Sequence, residues 1–106
     1  MNEKQAKFSI GDIVKHKYFN FRGVIYDVDF EFNNSEEWYR SIPKDVRPRK
    51  DQPFYHLLAE NNEITYEAYV SEQNLITDNS GEPVQHPLIN EIFSEKKGSA
   101  YYKRSN

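Results

Sequence analysis

The stretch GVIYDVDFEF, residues 23 to 32, alternates from Tyr26 onward: Asp27, Asp29 and Glu31 fall on one side, Tyr26, Val28, Phe30 and Phe32 on the other. A period of two is the side-chain period of a β-strand. Separating acids from rings in this way demands one wet face and one covered face. The stretch is the strongest strand signal in the sequence. The neighbouring segments are equally short. Ile13 to Phe19 follows a Gly11-Asp12 turn and is rich in β-branched and aromatic residues. It places Val14, His16 and Tyr18 on one face, and Ile13, Lys15 and Lys17 on the other. The two lysines mark that second face as wet. Asn20 to Gly23 reads as another turn.

FYHLLAE (54 to 60) and EITYEAYV (63 to 70) form the arms of a hairpin about Asn61-Asn62, residues that tolerate the positive φ of a two-residue turn. Tyr55, Leu57 and Ala59 share one face of the first arm; Ile64, Tyr66, Ala68 and Val70 share one face of the second. SEQNLI, 71 to 76, reads as one helical turn followed by a short closing strand. Five short strands with tight turns predict a mainly β fold, a small antiparallel barrel.

Two segments carry helical chemistry instead. In NNSEEWYRSIP, Asn34 can cap, Glu37 lies three residues on, and Glu36 and Glu37 suit the positive N-terminal end. Trp38 and Ile42, four apart, share a face that can seal one edge of a core, and Pro43 ends the run. A turn-rich connection, TDNSGEPVQHP, precedes the second segment. There Pro87 suits the first helical position ahead of Leu88, Ile89, Ile92 and Phe93.

At 106 residues the chain holds one domain. Its expected limits are residues 8–93, with a flexible N-terminus (1–7) and a flexible polar tail (94–106) in which Tyr101 and Tyr102 can dock. With 29% charged residues and a mean hydropathy of -0.94, no stretch is suited to crossing a membrane. MNEKQAKFSI has no apolar run of the signal-peptide kind. Cysteine is absent, so disulfides and thiolate metal sites are excluded, which fits a reducing cytoplasm.

Net charge is -3, unfavourable for neutralising phosphates. The charge is nevertheless uneven. Arg40, Lys44, Arg47, Arg49 and Lys50 face one acid, Asp45, over residues 40 to 50, a local +4 (five bases less one acid). Three readings of RPRKDQP follow. Its arginines pair with Glu36, Glu37 or Asp51 in a solvated linker, where each exposed pair contributes under ~1 kcal/mol. Alternatively the loop docks a protein: Pro43, Pro48 and Pro53 restrict it before binding, and arginine beside Trp38, Tyr39 and Tyr55 is a mixture that interfaces favour. Thirdly it contacts DNA, where four cations on four phosphates would give a log-log salt slope of roughly -3.6. The candidate partner-binding residues are therefore Arg40, Lys44, Arg47, Arg49, Lys50, Trp38 and Tyr39.

Chemistry is not indicated elsewhere. His16, His56 and His86 lack the spacing of a metal site, and we expect structural or surface roles for them. His56 reads as a strand residue hydrogen-bonded near the barrel rim, and His86 as an aid to starting the second helix. Ser9, Ser41, Ser71 and Ser80 lack the context of an activated nucleophile, and Gly81 sits in a turn, not a phosphate loop. The Asp27, Asp29 and Glu31 row reads as a solvated sheet surface or as an acidic strip for a basic partner. No catalytic residue and no cofactor are expected.

Taken in order, FSIGDIVKH from Phe8, FRGVIYDVD from Phe21, EWY from Glu37, RPRKDQPFYHLL from Arg47, AYVSEQNL from Ala68 and SGEPVQHP from Ser80 resemble the bacterial heat-shock protein Q (HspQ) group. This is also called the YccV-like, hemimethylated-DNA-binding family. The resemblance covers residues 8 to about 93. It implies an SH3-like barrel associating into a small homo-oligomer, a trimer, with no catalytic residues. It also implies two activities. One is a stress-related adaptor role, in which the protein promotes degradation of denatured or selected proteins, a replication initiator among them, as a specificity enhancer of the Lon protease. The other is binding of hemimethylated DNA. Related domains in proteolysis adaptors favour the first.

Overall fold

The structure, a computed structural model, describes residues 5–98 and 100–103. It is mainly β. Five antiparallel strands, β1 (Ile13–His16), β2 (Arg22–Asp29), β3 (Phe54–Glu60), β4 (Thr65–Ser71) and β5 (Leu75–Thr77), lie in the order β4-β3-β2-β1-β5. A separate hairpin pairs β6 (Phe93–Lys97) with β7 (Ala100–Lys103). Among the described residues, helical structure consists of two short α-helices, α1 (Glu36–Arg40) and α2 (Ile89–Ile92), and two 3-10 turns, Lys44–Val46 and Glu72–Asn74.

Val24 and Ile25 are adjacent in β2 and both 0% exposed. Successive strand residues point to opposite faces, so both faces of this sheet must be covered. One face packs Val14, Ile25, Tyr55, Leu57, Ala59, Val70 and Leu75 with Phe8, and Tyr66 and Ala68 lie against its margin. The alternation expected for Tyr55/Leu57/Ala59 is therefore present, and that for Ile64/Tyr66/Ala68/Val70 holds except at Ile64, which lies in the loop before β4 and is exposed. On the other face Ile13, Val24 and Leu58 meet Val84, Ile89, Phe93 and Tyr101.

That second cluster corrects two expectations. The Ile13/Lys15/Lys17 face of β1 was to be wet; Ile13 is buried beneath Phe93 and Tyr101, and the lysines are exposed. The polar tail was to be flexible; Phe93–Lys97 and Ala100–Lys103 instead pair as β6 and β7, and Tyr101 docks while Tyr102 stays outside. Alternate residues of a two-stranded ribbon can be fully polar, which hid its two anchors. Residues 1–4, 99 and 104–106 lie outside the described ones. Of the supposedly loose N-terminus, Ala6 packs on the core, and the Lys7 N–H donates to Glu72.

Gly11 fixes the tail in place. Its φ is +97°, and a Cβ there would sit 2.0 Å from the Tyr101 carbonyl oxygen. Its N–H donates to Ile25 O, and its own carbonyl accepts from Tyr101 N, both at 2.7 Å. A second clamp holds the connection after β5. Arg22 donates to Asp78 at 2.8 Å and Glu60 at 2.7 Å, and to the carbonyls of Glu82 and Pro83.

Local details also differ from expectation. The β3–β4 loop has four residues, not a tight pair. Asn61 closes it by accepting from Glu63 N and Ile64 N through its side chain, and no described non-glycine residue has positive φ. Ser35, not Asn34, caps α1, accepting from Trp38 N. The segment after Pro87 is a single helical turn, because Phe93 already belongs to β6. His86 assists as expected: its ring Nδ1 accepts from Leu88 N.

Candidate functional site

The proline-bearing segment lies on the outside but is sewn to the body. Pro48 and Pro53 are buried while Pro43 is exposed. Tyr39 Oη donates to Pro48 O at 2.6 Å, Gln52 bridges Arg49 O and Gln73, and Phe32 N donates to Lys50 O. Backbone groups in a short irregular segment need such partners, and each one removes freedom from the loop.

Its five cations have unlike fates. Arg47 turns inward, donating to Ile42 O at 2.8 and 3.1 Å and to Arg40 O at 3.1 Å, with its guanidinium over the Tyr39 ring. It thus satisfies carbonyls at the last residue of α1 and just beyond it, which have no helical partner. Lys50 pairs with Glu36 and lies 4.6 Å from the Tyr39 ring centroid. Arg40 and Arg49 point outward, 77% and 74% exposed, paired with Glu36 and Asp51. Lys44 is exposed on the first 3-10 turn. Trp38 and Tyr39 are half-buried around Phe32, at ring distances of 5.9 and 5.2 Å. The structure therefore brings the seven candidates onto one continuous segment, in which Arg40, Lys44 and Arg49 point outward, Lys50 is partly covered and Arg47 is turned in.

Beside this element runs a groove of about 880 Å³. One wall is Trp38, Ile42, Pro43 and Val46; the other is Tyr18, Phe19 and Phe21 of the β1–β2 turn; Tyr66, Ala68 and Val70 of β4 line its floor. Tyr18, Phe19 and Val46 are 76%, 61% and 48% exposed. Isolated exposed apolar residues are ordinary, but here they converge on one concavity. The aromatic turn is organised by His16, whose Nδ1 accepts from both Tyr18 N and Phe19 N at 3.0 Å and whose ring stacks on Phe19 at 4.6 Å. Burial pushes the His16 pKa down, which favours the neutral ring that can accept. These turn residues escaped sequence reasoning because Tyr18 and Phe19 were assigned to a strand. The available signal was KYFNF itself, a turn region filled with rings rather than small polar residues.

A second cluster joins Asp27 and Asp29 of β2 to His56 of β3, their potential ligand atoms all within 4.8 Å of one another. Asp29 already accepts from Tyr69 Oη at 2.8 Å and lies 2.9 Å from His56 Nε2, so the cluster is internally satisfied. Desolvation first, then the bond to Asp29, pushes the Tyr69 hydroxyl pKa up. His56 is thus the hydrogen-bonded strand residue expected from its position. These three are the described residues whose chemistry suits a hard cation or zinc.

Comparison with known proteins adds the lineage. Residues 6–100 match the family described as "Hemimethylated DNA-binding protein YccV like". Over 95 residues the chain is 34% identical to F-box only protein 21 of Homo sapiens and of Pongo abelii, and 33% identical to that of Mus musculus. Those alignments cover 89% of this chain and 15% of each relative, so the chain spans a small fraction of their length. No solved structure matches it.

Proposed function

This chain belongs to the YccV-like family, and from that premise we propose that it is a non-enzymatic adaptor. In this reading it promotes degradation of denatured or selected proteins, a replication initiator among them, as a specificity enhancer of a Lon-type protease in the cytoplasm. The supporting observation is the open apolar groove beside a loop whose bases are mostly engaged by the chain itself. Such a surface suits a protein better than a phosphate backbone, which needs free cations. The fold we assign is an SH3-like barrel. It is supported by the order β4-β3-β2-β1-β5 and by the 3-10 turn that carries the chain from β4 to β5. A small homo-oligomer, a trimer, accompanies this reading.

The test is reconstitution of the protein with a Lon-type protease and a denatured substrate. Faster degradation is expected, and Lys44→Glu with Arg49→Glu should weaken it without unfolding the chain. An unchanged degradation rate on adding the wild-type protein removes the adaptor reading.

A second reading, binding of hemimethylated DNA, is favoured by the family description. Outward-facing Lys15, Lys17, Lys44 and Arg49 are the groups it would use. Titration of methylated, half-methylated and unmethylated duplexes at two salt concentrations separates the two. Salt-steep binding with a preference for the half-methylated duplex would promote this alternative.

A further inference from the structure

β4 pairs with β3 alone and forms one end of the sheet. Its other edge therefore carries alternate backbone N–H and C=O groups that no neighbouring strand satisfies. No described backbone–backbone hydrogen bond outside the sheet reaches Thr65 to Val70 either. This open edge belongs to the strand that floors the groove between the aromatic turn and the α1–3-10 segment. The combination is specific. A compact folded partner offers few free strand edges, whereas an extended chain supplies both backbone partners and alternating side chains.

Charge narrows the occupant further. The ionisable groups on the lining are Asp45, Glu67, Arg47 and His16. Arg47 is turned onto the Ile42 and Arg40 carbonyls, and His16 is held toward its neutral form. Glu67 accepts one hydrogen bond, from Tyr26 Oη, and its carboxylate stays exposed. The lining thus carries two acids against the one guanidinium of Arg47, a net charge of -1 (two acids less one base) with His16 neutral.

We infer that the groove seats an extended, non-native segment of another polypeptide. The segment adds as a strand to the free edge of β4, places alternate aromatic or aliphatic side chains between Phe19 and Val46, and sets a lysine or arginine against Asp45 and Glu67. This names the substrate feature read by the adaptor, and it rests on that reading for the occupant's identity as a degradation substrate.

The test is direct binding without protease. The probe is a fluorescein-labelled peptide of roughly seven residues, the length of β4, alternating Phe or Val with Lys. Saturable binding read by anisotropy, with a change in Trp38 emission, is expected. Methylating the peptide's alternate backbone nitrogens should weaken binding at least about tenfold, since strand addition needs those donors. Tyr18→Ser with Phe19→Ser should do the same. Both rings are mostly exposed, so an unchanged thermal melt certifies the fold. Asp45→Lys with Glu67→Lys should transfer preference to a peptide carrying Glu in place of Lys. No binding, or equal binding by the methylated peptide or by the Tyr18/Phe19 variant, overturns the inference. Degradation that is enhanced equally by wild type and the Tyr18/Phe19 variant overturns the groove and leaves the adaptor standing. Peptide binding without enhanced degradation keeps the groove and removes the adaptor.

Discussion

Asp78 shows how much one buried carboxylate contributes. Desolvation alone would raise its pKa. Hydrogen bonds from Arg22 and Ser80, together with the Arg22 charge, more than offset that and hold it down at about 2. A carboxyl depressed in the folded state contributes stability above its unfolded pKa, near 4, and loses it as pH falls toward the folded value. Asp78→Asn should therefore cost roughly 1–2 kcal/mol at neutral pH. It should also flatten the decline in urea midpoint between about pH 4 and pH 2. An equally steep acid decline in the variant would place the linkage elsewhere. The tract around Asp78 reads in the sequence only as turn-rich. Nothing local to it signals Arg22, which lies 56 positions away.

At the scale of elements, the basic segment divides into structural and presented charge. Arg47 closes the carbonyls after α1, whereas Arg49 pairs with Asp51 in water. Arg47→Ala should lower stability by about 1–2 kcal/mol, as losing a helix-end partner does. Arg49→Ala should change it by less than ~0.5 kcal/mol. Equal effects in chemical denaturation would contradict the division. The sequence placed these residues together and marked the helix before them, because prolines and caps act over a few positions. It did not separate Arg47 from Arg49, two residues apart, since that depends on which carbonyls the folded helix leaves open. The aromatic turn was missed for a related reason. KYFNF has strand-like composition, and only the His16 ring accepting two backbone N–H groups converts it into a turn.

For the molecule as a whole, the sheet is covered on two sides, and the C-terminal segment supplies the second cover. Tyr101 is 7% exposed, packs 5.7 Å from Phe93 and accepts a hydrogen bond from Val84 N. Tyr101→Ala should destabilise by roughly 3–5 kcal/mol, in line with truncation of a large buried ring, and should uncover Ile13 and Leu58 to an apolar dye. Tyr102→Ala, outside the core, is the control, and a similar loss there would show that the stabilisation does not come from burying the Tyr101 ring.

By itself the sequence determined the mainly β character, the five-strand segmentation, the positions of both helical insertions and the family. The first three depend on periodicity, turn residues and caps, all of which act within a few neighbours, whereas the family rests on its motifs standing in the same order along the chain. Tertiary structure alone decided that the β1 face carrying Ile13 is dry, that a polar tail becomes a pinned hairpin, and that scattered rings from three segments enclose one groove. Those outcomes follow from contacts between residues tens of positions apart, where burial depends on what arrives to cover a face rather than on the residues that compose it.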